Sequence, residues 1–200
     1  YIESDVVVSG ADYHHTDQTL LEDKYRNYTP KYWDNRTMAP SSLLYYIGLD
    51  RKIDQLKHHN LFFDRDFNKH AEEIYDTHKW PQDPLFYACV PSKTDKSVAP
   101  EGMENIFILI PVSTRIEDSE AIKQRYFNMV ADRLKAFTGV DIRNHIKVYH
   151  TFANSDFKSV YNSYRGNAYG LANTLKQTAF LKPKCKNKHV NNLYYTGQLT

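Results

Sequence analysis

Cysteine is scarce in this sequence. Only Cys89 and Cys185 are present, far apart and in no paired pattern. They build no disulfide framework, and such usage suits a reducing compartment. No Gly-x-Ser-x-Gly occurs, so triad hydrolysis has no support. No signal-peptide pattern and no apolar run of membrane-spanning length are found. We therefore expect a cytoplasmic protein that meets a membrane, if at all, along its surface. Charge of one sign is also lacking. The net charge is +2 with 25% charged residues, which argues against a nucleic-acid partner. Two histidine pairs, His14-His15 and His58-His59, stand without a His-x-x-x-His spacing or a cysteine pair. Adjacent strand residues face opposite sides, so we expect no chelating pair and assign no metal.

Aromatic residues are plentiful, at 14% of 200 residues with 16 tyrosines. That length allows one domain with a sizeable core. Tyrosines suit amphipathic interiors and cavity walls, because the ring packs while the hydroxyl seeks a partner. Core packing alone accounts for them equally well.

The pattern predicts an α+β chain. Asp5–Ser9 reads as a buried, parallel strand stopped by Gly10. A helix is expected over Gln18–Tyr25, capped by Thr16 or Asp17. Tyr28–Arg36 reads as loop plus short helix. Strands are expected at Ser41–Gly48, His58–Asp64, Leu85–Pro91, Asn105–Pro111 and His145–Phe152. Asn105–Pro111 is apolar throughout and should be central. Asp66–Tyr75 shows helical spacing. The clearest helix starts at Asp118 or Ser119 and ends at Gly139, with Ile122, Tyr126, Phe127, Val130, Leu134 and Phe137 as its apolar stripe. Ser155–Tyr164 reads as a short helix, Lys182–Lys188 as a solvated basic loop, and Leu193–Thr196 as a strand opening into a turn at Gly197. Gly166 and Gly170 read as a turn with close backbone packing rather than a phosphate loop. The end strands run to the chain's limits without caps, so we expect an interior piece of a larger protein.

Several stretches carry a resemblance. Asp5-Val-Val-Val-Ser-Gly-Ala-Asp-Tyr-His-His15, Tyr32-Trp-Asp-Asn-Arg-Thr-Met-Ala-Pro-Ser-Ser42 and His58-His-Asn-Leu-Phe-Phe63 resemble the bacterial-type carotenoid desaturases, the phytoene desaturase family. So do Asp83–Tyr87, Pro91–Asp95, Ala99–Gly102, Tyr161–Leu175 and Leu193–Thr200, in the family's order. The resemblance implies a Rossmann-like FAD domain assembled from separated segments, with a mixed-sheet substrate domain between them. Residues 1–22 and 189–200 would belong to the FAD domain and residues 23–188 to the substrate domain. Ser9, Gly10, Ala11, Asp12, Thr196 and Gly197 would lie at the cofactor.

The implied reaction is FAD-dependent formation of C=C bonds in phytoene and partly desaturated carotenes, at a membrane surface. A related carotenoid cis–trans isomerase, a retinoid saturase-like flavoenzyme, or a non-catalytic isoprenoid- or membrane-binding fragment are the alternatives. The family's Gly-x-Gly-x-x-Gly loop, which holds the FAD pyrophosphate, is not in these 200 residues. The isolated piece is therefore expected to be neither a competent flavoprotein nor active. No catalytic residue is assigned, because the family's acid–base groups lie upstream of Tyr1.

Overall fold

The computed structural model describes residues 1–200. In chain order the strands are β1 (Val7–Ser9), β2 (Ser41–Leu49), β3 (His59–Phe62), β4 (Phe86–Cys89), β5 (Glu104–Val112), β6 (Ile146–Phe152) and β7 (Leu193–Tyr195). The helices are α1 (Tyr13–His15), continued by a π-helical turn over Thr16–Leu20, then α2 (Pro30–Asp34), α3 (Phe67–Tyr75), α4 (Glu120–Thr138) and α5 (Asn154–Tyr161).

The chain forms two compact units. One combines Tyr1–Ser41 with Ser155–Thr200, and the other is Ser42–Asn154. The expected boundaries after residues 22 and 188 fall elsewhere: residues 23–41 and 155–188 fold with the chain ends. Hydrogen bonding and burial explain this. The buried Asp17 carboxylate accepts the backbone N–H groups of Asn27 and Tyr28, at 2.7 and 3.2 Å. Trp33, Met38 and Leu171 then join Tyr13, Leu193, Tyr195 and Leu199 in one buried apolar cluster.

In this first unit β1 pairs parallel with β7, Val7 opposite Leu193 and Ser9 opposite Tyr195. The parallel pairing matches expectation, but the burial of β1 does not. Val8 is 61% exposed and Val7 46%, and β1 has a single strand neighbour in its two-stranded sheet. The helix expected over residues 18–25 begins earlier, at Tyr13. The cap is Asp12, which accepts the His15 N–H at 3.0 Å, while Asp17 is used inside. The Lys182–Lys188 loop is knitted to β7: the Tyr195 N–H donates to Cys185 O and the Asn187 N–H to Leu193 O.

The second unit holds a five-stranded sheet, ordered β3-β4-β5-β2-β6. The pairs β3/β4, β4/β5 and β2/β6 are antiparallel. β5 is central, as its apolar sequence predicts. Helix α4 starts where Ser119 Oγ accepts the Ile122 N–H, and it ends at Gly139 with φ +75°. Its Tyr126, Phe127, Val130, Ala131 and Leu134 pack with Leu43, Tyr45, Ile47, Phe86, Ala88, Ile106, Ile108 and Ile110 in the main core. Phe137 departs from the expected stripe: it is 59% exposed, and its ring meets Phe62 edge-on at 5.8 Å. In α3 the buried residues are His70 and Ile74, while Phe67 and Tyr75 face outward.

The divergence expected of the histidine pairs is not found at His58-His59, whose rings lie 4.2 Å apart. His58 precedes the strand that starts at His59, so strand alternation does not govern it. His14 and His15 lie on α1.

These packing differences have measurable consequences. Leu134→Ala should cost about 2–5 kcal/mol, because it leaves a cavity in a fully buried site. Phe137→Ala should cost no more than about 1 kcal/mol, as exposed positions do. Urea unfolding of the two variants checks this. Equal losses would show that Phe137 is core.

Candidate functional site

Because β1 and β7 are parallel, they end at the same side of the pair. Each runs into a glycine turn there, at Gly10 and Gly197. Between the turns lies a cleft of about 520 Å³. Its walls include Gly10, Ala11 and Asp12 after β1, Thr196, Gly197 and Gln198 after β7, and residues Phe157, Tyr161, Asn162 and Asn167.

Five of the six residues named from sequence line this cleft. Ser9 does not: its hydroxyl is turned to Thr16 Oγ1, at 2.8 Å. Phe157, Tyr161, Asn162, Asn167 and Gln198 also line it and were not named from sequence. The signal for them was the side-chain chemistry of Asn167, which locks the turn. Asn167 Nδ2 donates to Tyr164 O at 2.7 Å, and its Oδ1 accepts the Gly170 N–H and Gln198 Nε2, at 2.8 and 3.2 Å. Gly170 has φ +79°, and a Cβ there would stand 2.3 Å from Gln198 O. The close backbone packing expected of this turn is what seats Gln198 at the cleft.

Asp12 is the cleft's carboxylate, and its oxygens are spent on structure. Oδ1 accepts the His15 N–H, and Oδ2 accepts the Tyr164 N–H at 3.1 Å. Burial pushes its pKa up, while these backbone donors pull it down. Tyr13, stacked on Tyr195 with ring centres 3.8 Å apart, has its phenol pushed up by burial. His14 is stacked on Tyr164 at 3.9 Å and edge-on to Trp33 at 5.6 Å. Burial pulls its pKa down to about 4.

The lining decides what the cleft can hold. No Lys or Arg lines it, so it has no cation for a pyrophosphate. At Gly197 φ is +124° and nothing lies within 4 Å of where a Cβ would stand. Bare backbone and the Asn167 and Gln198 amides, beside the single carboxylate of Asp12, suit a flat, hydrogen-bonding ring system.

The second unit presents a different surface. Strand alternation places Tyr46, Tyr87, Phe107 and Leu109 on the face opposite the α4 core. Tyr46 and Phe107 rings lie 5.3 Å apart, and Tyr87 and Phe107 rings 6.4 Å apart. A groove of about 390 Å³ opens there, lined mostly by apolar groups such as Val98, Pro100, Met103, Phe107 and Val148. At the sheet edge Leu61, Phe63 and Phe137 surround a further open depression, each more than half exposed. No helix is long and apolar enough to cross a membrane.

Comparison with known proteins adds the following. No family model matches the chain. It is 44% identical over 196 residues to the carotenoid 3,4-desaturase of Haloarcula japonica, covering 98% of this chain and 40% of that protein. It is 31% identical over 206 residues to the 4,4'-diapophytoene desaturase (4,4'-diaponeurosporene-forming) of Staphylococcus aureus, covering 98% and 41%. The chain thus spans about two-fifths of the length of the curated relatives it matches. The structure of an oxidoreductase from Methanosarcina mazei shares the fold, with TM-score 0.52 and 12% identity, over 98% of this chain and 38% of that one.

Two outcomes follow from the geometry. In the folded state His14 stays neutral down to about pH 4, whereas an unfolded histidine titrates near pH 6.5. Unfolding therefore takes up a proton between these values, so this contribution is present above pH 6.5 and is lost as pH falls toward 4. His14→Gln should flatten the fall of the thermal midpoint across that window, and identical slopes would refute the assignment. Gly170→Ala should cost about 2 kcal/mol or more in urea unfolding, because both its φ and the Gln198 carbonyl oppose a Cβ.

Proposed function

We propose that the chain belongs to the carotenoid desaturase family and is part of an FAD-dependent enzyme that introduces C=C bonds into a long polyene. The likeness to desaturases along nearly the whole chain carries this reading. Phytoene and partly desaturated carotenes are the substrate class.

FAD, when bound, supplies the two-electron acceptor for the hydrogens removed. The chain's own residues bind and orient. Gly10 and Gly197 leave backbone bare at the cleft, and Thr196, Asn167 and Gln198 bring neutral polar groups to it. These suit the uncharged part of the flavin. The pyrophosphate would be held by other parts of the longer protein, since the cleft lacks cations. Asp12 shapes the cleft by tying α1 to Tyr164.

In the second unit, the apolar groove beside Tyr46, Phe107 and Val148 offers a surface for a hydrocarbon. Burying a polyene there is driven by loss of its water-exposed area. Aromatic faces also favour positive charge developing on an allylic carbon. The exposed Leu61, Phe63 and Phe137 give a contact for a membrane surface, from which such a substrate must be drawn. We read the protein as peripheral to the membrane on its cytoplasmic side.

The test is product analysis of the complete protein in a host that accumulates phytoene. Expected products lose two hydrogens per step and absorb at longer wavelength. Val148→Trp, on the exposed groove wall, should lower their yield at least tenfold with flavin content unchanged. Products of unchanged mass would instead indicate an isomerase. No conversion of any acyclic polyene by the flavin-loaded protein would overturn the reading.

A further inference from the structure

One edge of the five-stranded sheet carries a cluster that the proposed reaction does not use. In the β3/β4 register His59 stands opposite Cys89. Side chains directly opposite on an antiparallel pair share one face and stand close together. His58, just before the strand, keeps its ring beside that of His59. One ring nitrogen from each histidine and Cys89 Sγ all lie within 4.8 Å of one another.

The rings are also oriented. His58 Nδ1 shares a hydrogen bond with Thr94 Oγ1 at 2.6 Å, and His59 Nδ1 shares one with the Tyr87 hydroxyl at 2.6 Å. Tyr87 lies two residues from Cys89 on the same strand face. A fixed partner on one ring nitrogen orients a histidine ring for ligation through the other. Cys89 and His58 are half-buried while His59 is exposed, so an ion can enter from solvent.

Two imidazole nitrogens and a sulfur suit a borderline-soft cation and not magnesium or calcium. Tetrahedral zinc needs ligand atoms about 3.3–3.8 Å apart, given its bond lengths of about 2.0–2.3 Å. The three ligand atoms, within 4.8 Å of one another, would draw closer on binding. The thiol would release its proton to solvent on binding, since the thiolate is the ligand. Three protein ligands leave the fourth position to water.

We propose that His58, His59 and Cys89 form a site for one zinc-class divalent cation, tying the turn before β3 to β4. The site shares no residue with the groove beside Tyr46 or with the cleft between Gly10 and Gly197. It therefore stands or falls separately from the proposed reaction.

Titration of the metal-free full chain with Co²⁺ tests it. One equivalent should produce thiolate-to-cobalt charge-transfer absorption with tetrahedral d–d bands, and Zn²⁺ should abolish both by displacement. Cys89→Ser should remove the charge-transfer band, and His59→Gln should weaken Co²⁺ binding at least tenfold. Cys185→Ser should change neither. Bound Zn²⁺ should also slow alkylation of Cys89 but not of Cys185. A wild-type chain without the charge-transfer band at saturating Co²⁺ would overturn the site. So would a band that survives Cys89→Ser and vanishes with Cys185→Ser. His59 is exposed, so its variant reports on ligation even if Cys89→Ser folds poorly.

Discussion

The parallel pairing of Val7–Ser9 with Leu193–Tyr195 is the constraint on which the first unit depends. Three residues per strand form a weak sheet by themselves. Side-chain burial makes up the difference. Leu193 and Tyr195 are buried, Tyr195 stacks on Tyr13, and the Cys185–Asn187 segment bonds the free edge of β7. Parallel direction matters as much as pairing. It places Gly10 and Gly197 at one end, so two turns from opposite ends of the sequence build one cleft. An antiparallel pair would have set them at opposite ends.

The second unit follows a different rule. Its sheet has one face under α4 and the other open. On β5 every second residue from Glu104 to Val112 is buried, and the residues between are half-exposed. The covered face supplies stability through Ile106, Ile108 and Ile110. The open face is free to carry Tyr46, Tyr87 and Phe107, which a fully covered sheet would bury. Glu104 shows how the rim of the groove is held. Its buried carboxylate pairs with Lys93 and accepts the Ile53 N–H at 3.0 Å. Such a charge is tolerated in the interior because it is both paired and hydrogen-bonded.

Each unit supplies one surface that the proposed oxidation of a hydrocarbon would use. One is a glycine-turned cleft without cations, proposed for a flat ring. The other is an apolar, aromatic face for a chain without polar handles. The proposed zinc-class site at the β3/β4 edge would add a fixed point to the sheet apart from both surfaces.

Much of this was legible in the sequence, because local physics decides it. The α4 stripe, its Ser119 cap and its Gly139 stop, the central apolar β5, and the glycine turns after both end strands all follow from periodicity and backbone preference. The family resemblance supplied Gly10, Ala11, Asp12, Thr196 and Gly197 as neighbours, and the parallel pairing brings them to one cleft. Tertiary structure alone decided the rest. Phe137 sits on the helical stripe, yet it meets the sheet only at its edge strand, through Phe62, and stays exposed. Ser9 belongs to the motif, yet Thr16 claims its hydroxyl. Asp17 looked like a cap, yet burial among backbone donors made it the anchor that draws residues 27 and 28 into the first unit. His58, His59 and Cys89 share no spacing that a sequence pattern could flag, because their closeness comes from cross-strand register. Sequence fixes what each residue can do with its near neighbours, and register and burial choose which distant partner it meets.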